Sequence, residues 1–326
     1  MSFARNSRWI EARGVALVLA LVMFAAIVPS SHAQSQAPAA YQISVDVDLV
    51  VLSVTVRDRQ GRNVSDLAES DFKISEDRVP QSIRLFRHED VPVVAGLLVD
   101  HSGSMRPKVA EVIAGARAFV RSSNPEDQMF VVNFNERVSL GLPNAIGFTA
   151  DPDQLERAIW RDPAVGETAL YDAIVKALAK LQTGGLDKKV LVVISDGADN
   201  ASSHNLTEAL DMAERSSAII YTVGLFAPED RDANPKVLSR LARATGGEAF
   251  FPDHPSAVAE ICERTARDIR NQYTIGYVST NAKRDGVYRA IRVSAEAPGH
   301  GKLFARTRSG YIRGAQLKEP KDEGEK

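Results

Sequence analysis

Val91-Pro92-Val93-Val94-Ala95-Gly96-Leu97-Leu98-Val99-Asp100-His101-Ser102-Gly103-Ser104 sets an unbroken apolar run directly before a carboxylate and two hydroxyls. A run that is apolar at every position has no solvent face, which is the pattern of a central strand in a covered parallel sheet. Open α/β sheets gather their ligands where the chain leaves the carboxyl ends of such strands. Asp100, Ser102 and Ser104 stand at that point, and their oxygens suit a hard cation such as Mg²⁺ or Mn²⁺.

Working outward, Met129 to Val132, Val190 to Ile194 and Ala218 to Val223 are similar two-faced apolar runs. Helical spacing separates them. Val109, Val112, Ile113, Ala116, Phe119 and Val120 share one face, with Pro107 suited to the first helical position. Leu170, Ile174, Leu178 and Leu181 repeat the pattern up to Gly184-Gly185, as do Leu206, Ala209, Leu210 and Ala213. Asn234-Pro235 opens a further helix that Gly246-Gly247 closes. Alternating strands and helices predict an α/β domain with a doubly wound, mostly parallel sheet over 91–271, with Arg137 to Leu140 as a short antiparallel edge strand.

Both flanks read as β. Ile43, Val45, Val47 and Leu49 alternate, then Val50, Leu52, Val54 and Val56 alternate in the opposite phase, which predicts a bulge or a break. Phe72 with Ile74, and Ile83 with Leu85, suggest further strands. Beyond a helix from about Pro255 to Asn271, Tyr273, Ile275 and Tyr277 alternate, and Ile291 with Val293 and Leu303 with Ala305 follow. Neither flank has enough strands to bury a sheet alone. The expectation is that 41–90 and 272–313 pair into one small β-sandwich, with the α/β domain inserted between them.

The ends carry other signals. Arg5, Arg8 and Arg13 precede the apolar Val15 to Val28, and Ser31-His32-Ala33 offers small residues for cleavage, so 1–33 reads as a signal peptide and the protein as secreted or periplasmic. Residues 34–40 read as a linker and 314–326 as a charged, disordered tail. No later segment is long and apolar enough to span a membrane. With 40 Lys and Arg against 42 Asp and Glu, and no basic stripe, nothing points to a nucleic-acid partner. Cys262 is the single cysteine, so no intramolecular disulfide can form, and its place on the face of Val258, Ile261, Thr265 and Ile269 makes it core filling.

A cation needs more than one loop. Thr168 stands just before the Leu170 helix and Asp196 just after the Val190 strand. If the Val91 and Val190 strands are neighbours where strand order reverses, Asp100, Ser102, Ser104 and Asp196 share a rim that Thr168 reaches from an adjacent loop. Asp199 and Asn200 are expected to cap the Leu206 helix or line that rim, and Asp172 to lie on a helix surface or behind the ligands. No GxGxxG or Walker loop follows a strand, and no His-Glu-x-x-His or cysteine pair supports zinc.

Asp100-x-Ser102-x-Ser104, Thr168 and Asp196, in three separated segments in this order, resemble the metal-ion-dependent adhesion site of von Willebrand factor A domains. The whole arrangement, with Asp71-Phe72 and Val79-Pro80-Gln81 ahead and Arg306 to Tyr311 behind, is similar to the VWFA-related proteins of acidobacteria. The resemblance implies that Ser102, Ser104 and Thr168 bind Mg²⁺ directly or nearly so. Asp100 and Asp196 would act directly or through water. The expectation is a non-enzymatic binding module that engages a protein or other acidic ligand through the ion, a partner's Asp or Glu carboxylate completing the coordination. A metal-dependent hydrolase at the same ion, and a scaffold with an idle metal site, are the alternatives.

Overall fold

The computed structural model describes residues 49–159, 164–226 and 230–312. The segments expected to be a signal peptide, a linker and a charged tail, and the first alternating run through Asp48, lie outside them.

The first strands are β1 (Leu49–Arg57), β2 (Phe72–Glu76), β3 (Val79–Gln81) and β4 (Ile83–Arg87). The α/β region follows as β5 (Val94–Asp100), α1 (Val109–Ser122), β6 (Gln128–Phe134), β7 (Val138–Leu140), α2 (Pro152–Ile159), α3 (Leu170–Gln182), β8 (Lys189–Ser195), α4 (Leu206–Arg215), β9 (Ile219–Gly224), α5 (Pro235–Thr245), β10 (Ala249–Phe250) and α6 (Val258–Arg270). The chain ends with β11 (Tyr273–Val278), β12 (Tyr288–Ala295), β13 (Phe304–Arg306) and β14 (Gly310–Ile312).

The central sheet has the order β10-β9-β8-β5-β6-β7, parallel except for the β6–β7 pair. All seven residues of β5 are buried, as its two-faced apolar sequence requires. Strand order reverses at β5, which pairs with β6 on one side and β8 on the other. The helices fall into two groups, α1 with α2 and α6, and α3 with α4 and α5. This is the doubly wound α/β architecture. Asn234 caps α5 by accepting from the Val237 amide, and Gly246 ends it at φ +82, where a side chain would be strained. Pro107 does not open α1. It lies inside a 3₁₀ segment, Gly103–Lys108, that begins directly after Ser102, and the α-helix starts only at Val109.

The flanking strands form two four-stranded antiparallel sheets, β13-β1-β11-β4 and β14-β12-β2-β3. Each draws strands from both ends of the chain, because β1 pairs with β11 and β2 with β12. Leu52, Val54, Phe72, Ile74, Tyr273, Ile275 and Tyr277 form the core between them. One ion pair is buried in this region. Arg289 Nη1 lies 3.5 Å from Glu76 Oε1, with both side chains 2% exposed. Glu76 also accepts hydrogen bonds from the hydroxyls of Ser279 at 2.5 Å, Tyr277 at 2.7 Å and Tyr311 at 2.9 Å. A second set of charges joins the sandwich to the α/β region. Arg57 of β1 donates to Glu248 at 2.9 Å and pairs with Asp268 of α6, and Arg306 of β13 donates to Glu248 at 2.6 Å.

Candidate metal centre

Asp100 ends β5, and its carboxylate is tied to its own loop and to the neighbouring strand. Oδ1 accepts from the Ser102 amide at 2.8 Å, and Oδ2 accepts from the Ser195 hydroxyl, at the end of β8, at 2.6 Å. Burial pushes the Asp100 carboxyl up, to about 6, with the charge of Asp196 acting in the same sense and hydrogen bonds from Ser102 and Ser195 opposing both.

The next two ligand candidates follow within four residues. The Ser102 and Ser104 hydroxyl oxygens are 3.2 Å apart, and the Ser104 hydroxyl donates to Asp196 Oδ2 at 2.6 Å. Asp196 is held in turn by the Ala198 amide on Oδ1, and its carbonyl accepts from the Asn234 amide at 2.9 Å. The β5–β8 register brings Ser104 and Asp196 together across 92 residues of chain.

Thr168 arrives on a loop stitched to the same motif. The Gly103 amide donates to Gly166 O at 3.0 Å, and Val165 N to His101 O at 2.8 Å. The Thr168 amide donates to Asn200 Oδ1 at 2.8 Å, and the Thr168 carbonyl accepts from the amides of Asn200 and Ala201. Ser102, Ser104, Thr168 and Asp196 thereby line one cleft of about 340 Å³. Asp100 does not line it. The expected five-oxygen rim is therefore four residues at the cleft wall, with the fifth behind them.

This donor set fits a hard divalent cation: three hydroxyls and the Asp196 carboxylate line the cleft, with the carboxylates of Glu167, Asp230 and Asp232 farther along its wall and Asp100 behind, its charge and that of Asp196 repelling each other. Among the described residues, no group of three or more His, Cys, Asp or Glu side chains is placed to hold a metal, so any ion here depends on hydroxyl oxygens. The backbone shape also matters. Gly166 has φ +82, and a Cβ there would meet the end of the exposed Glu136 side chain, which can swing away, so the strain would lie in the backbone. Gly166→Ala is expected to lower stability by about 1–2 kcal/mol in chemical denaturation at an unchanged m-value. A change within about 0.3 kcal/mol would show that the loop tolerates a side chain.

Asn200 lines the rim, as one of its two expected roles had it. Asp199 instead accepts from the Tyr171 amide at the start of α3, and Asn205, not Asp199, caps α4. Asp172 receives the amides of Ser203 and His204 and lies 2.6 Å from His204 Nδ1. That trio is not a nucleophilic relay, because Ser203 bonds to the carboxylate. Cys262 is fully buried, and burial pushes its thiol up to about 12. The sequence reading missed Ser195, which fixes Asp100, and the stretch Asp230, Arg231, Asp232 and Ala233, which forms part of the cleft wall with Gly166, Glu167 and Ala198. Ser195 was adjacent to a named ligand and at a strand end. The other stretch looked like an ordinary charged loop.

Residues 96–198 match the family model of the von Willebrand factor type A domain. The central sheet with its helices has the fold of that domain. A von Willebrand factor type A protein from Catenulispora acidiphila is similar at TM-score 0.50 and 14% identity, over 82% of this chain and 75% of that one. The vWF domain of the type V pili tip protein Mfa5 from Porphyromonas gingivalis is similar at TM-score 0.47 and 14% identity, over 55% of this chain and 95% of that one. Proximal thread matrix protein 1 from the mussel byssus, with a zinc-occupied MIDAS motif, is similar at TM-score 0.48 and 14% identity, over 60% and 49%. No curated protein sequence matches the chain significantly. Among the described residues, no helix is long and apolar enough to cross a membrane.

Proposed function

We propose that this protein is a non-enzymatic binding module of the secreted or periplasmic space, which engages a protein partner through Mg²⁺ or Mn²⁺. The Ser104–Asp196 contact carries the reading, because it joins the two halves of the oxygen set across the switch point of the sheet. Ser102, Ser104, Thr168 and Asp196 hold the ion, and Asp100 orients the Ser102 backbone and the Ser195 hydroxyl from behind. When bound, the ion supplies a positive centre that an Asp or Glu carboxylate of the partner can join. Arg231 on the same cleft wall favours that anion.

Binding is favoured over hydrolysis by what the two most buried carboxylates of the cleft wall already do, while Glu167 and Asp232 stand exposed to solvent. Asp196 accepts from Ser104 and the Ala198 amide, and Asp230 is paired with Lys108, so neither is poised to activate water. No imidazole lines the cleft.

Water-proton relaxation with Mn²⁺ and then acetate tests the reading. The bound ion should enhance relaxation while it keeps exchangeable waters, and acetate should reduce the enhancement as a carboxylate replaces one of them. Mn²⁺ uptake without an acetate effect would remove the carboxylate-bearing partner, and no uptake would remove the metal.

A further inference from the structure

Lys108 is an unusual residue to bury. It lies two turns of 3₁₀ backbone beyond Ser102, its side chain is 5% exposed, and α1 begins immediately after it. A buried ammonium requires partners, and both of its partners lie more than a hundred residues away. Nζ donates to the Leu225 carbonyl, just past β9, at 2.9 Å, and pairs with Asp230 Oδ2 at 2.5 Å. The Asp230 side chain is itself only 10% exposed, and Asp230 lines the same cleft as Ser102, Ser104, Thr168 and Asp196.

A carboxylate on the wall of a cation cleft is a competitor. Left without a counter-charge in a poorly solvated position, it would be drawn to the nearest divalent ion, and it would take the vertex that an incoming carboxylate needs. Lys108 answers that hazard from the end of the 3₁₀ segment that follows Ser102. We propose that Lys108 is a positioning residue that holds Asp230 off the ion, and so keeps one coordination vertex open to an external carboxylate. The inference rests on the metal-binding reading above and deepens it: Glu167 and Asp232 on the same wall are exposed and solvated, whereas the poorly solvated Asp230 is held by an ion pair from the motif's own 3₁₀ segment.

The geometry separates two effects of removing Lys108. Loss of a nearby positive charge would tighten cation binding whatever residue 230 is. Release of Asp230 as a ligand would tighten it only when residue 230 is an aspartate. The test is therefore a double-mutant cycle on the full chain, read by Mn²⁺ titration in electron paramagnetic resonance, with Lys108→Met, Asp230→Asn and the double variant. Lys108→Met is expected to bind Mn²⁺ about tenfold more tightly than the unaltered protein, while the same change in the Asp230→Asn background shifts affinity less than about twofold. Lys108→Met should also lose the acetate effect on water relaxation, since its own carboxylate fills the vertex. Lys108→Gln, which keeps a donor for the Leu225 carbonyl, replaces Lys108→Met if circular dichroism shows that the latter does not fold.

Equal tightening in both backgrounds would reduce Lys108 to a distant charge and overturn the proposal, as would an unchanged affinity in a folded Lys108 variant. Either result leaves the metal site itself standing. Failure of all four proteins to bind Mn²⁺ would overturn the metal reading and this inference with it.

Discussion

Mg²⁺ at 100 times its Kd is expected to stabilise the protein by about 2.7 kcal/mol, and Asp196→Ala is expected to abolish that gain entirely. The reason is geometric. Asp196 is the carboxylate that both lines the cleft and meets the Ser104 hydroxyl, so its loss removes the charged member of the proposed ligand set at the cleft wall. Ser104→Ala takes away a neutral donor and should leave a reduced gain. Asp232→Ala changes another lining residue outside the proposed ligand set and should retain the gain. Thermal melts of the three variants with and without Mg²⁺ check this order. An equal rise in melting temperature for Asp196→Ala and the unaltered protein would place the ion elsewhere.

Arg289→Met should lower stability by about 3–5 kcal/mol in chemical denaturation, because it leaves Glu76 as an uncompensated buried charge. The effect reports on the sandwich, since Glu76 is in β2 and Arg289 in β12, one from each end of the chain. The pH dependence has a definite sign. Burial by itself would raise the Glu76 carboxyl, but hydrogen bonds from Ser279, Tyr277 and Tyr311 and the Arg289 charge hold it below its ordinary value of 4.5. A depressed folded-state value contributes stability that is complete above the unfolded value and is lost as pH falls through the folded one. The variant gains on acidification, since protonating Glu76 removes its unpaired charge. The two stability curves should therefore converge as pH falls below about 4.5. Glu76→Gln combined with Arg289→Met should recover part of the loss at neutral pH. A constant gap at all pH values would show that Glu76 is not the group left exposed to the penalty.

Much of this architecture is legible in the residues because burial on both faces leaves a simple mark. β5 before Asp100, β8 between Lys189 and Ser195, and most of β9 are apolar on both faces, the mark of a strand covered on both sides. The sandwich strands were readable singly, as in the buried Val50, Leu52, Val54 and Val56, but their order was not. Alternation says which side chains point inward and nothing about which strand lies alongside, so the split into two antiparallel sheets, each with strands from both ends of the chain, needed coordinates. α2 escaped notice because its buried set is only Leu155, Ala158 and Ile159, too few to show a period, and β10 is two residues long.

The site was legible to the extent that its residues follow strand ends. Ser102, Ser104 and Asp196 could be placed on one rim from topology alone. The depth of Asp100 could not, since it depends on the Ser195 hydroxyl 95 residues away. Lys108 carried no signal, because a single lysine ahead of a helix is most often a solvated one. Pro107 misled because proline is equally content inside a 3₁₀ turn, and the tight turn after Ser102 is closed there by the Met105 amide donating to the Ser102 carbonyl.

The most direct measurement is a crystal structure of Mn²⁺-soaked protein with anomalous scattering recorded near the manganese edge. A single strong peak about 2.1–2.3 Å from the hydroxyl oxygens of Ser102 and Ser104, with Thr168 and Asp196 in direct or water-bridged contact and solvent at one remaining vertex, is the predicted result. A cleft without anomalous density at saturating Mn²⁺, or an ion bound away from both serines, would contradict it.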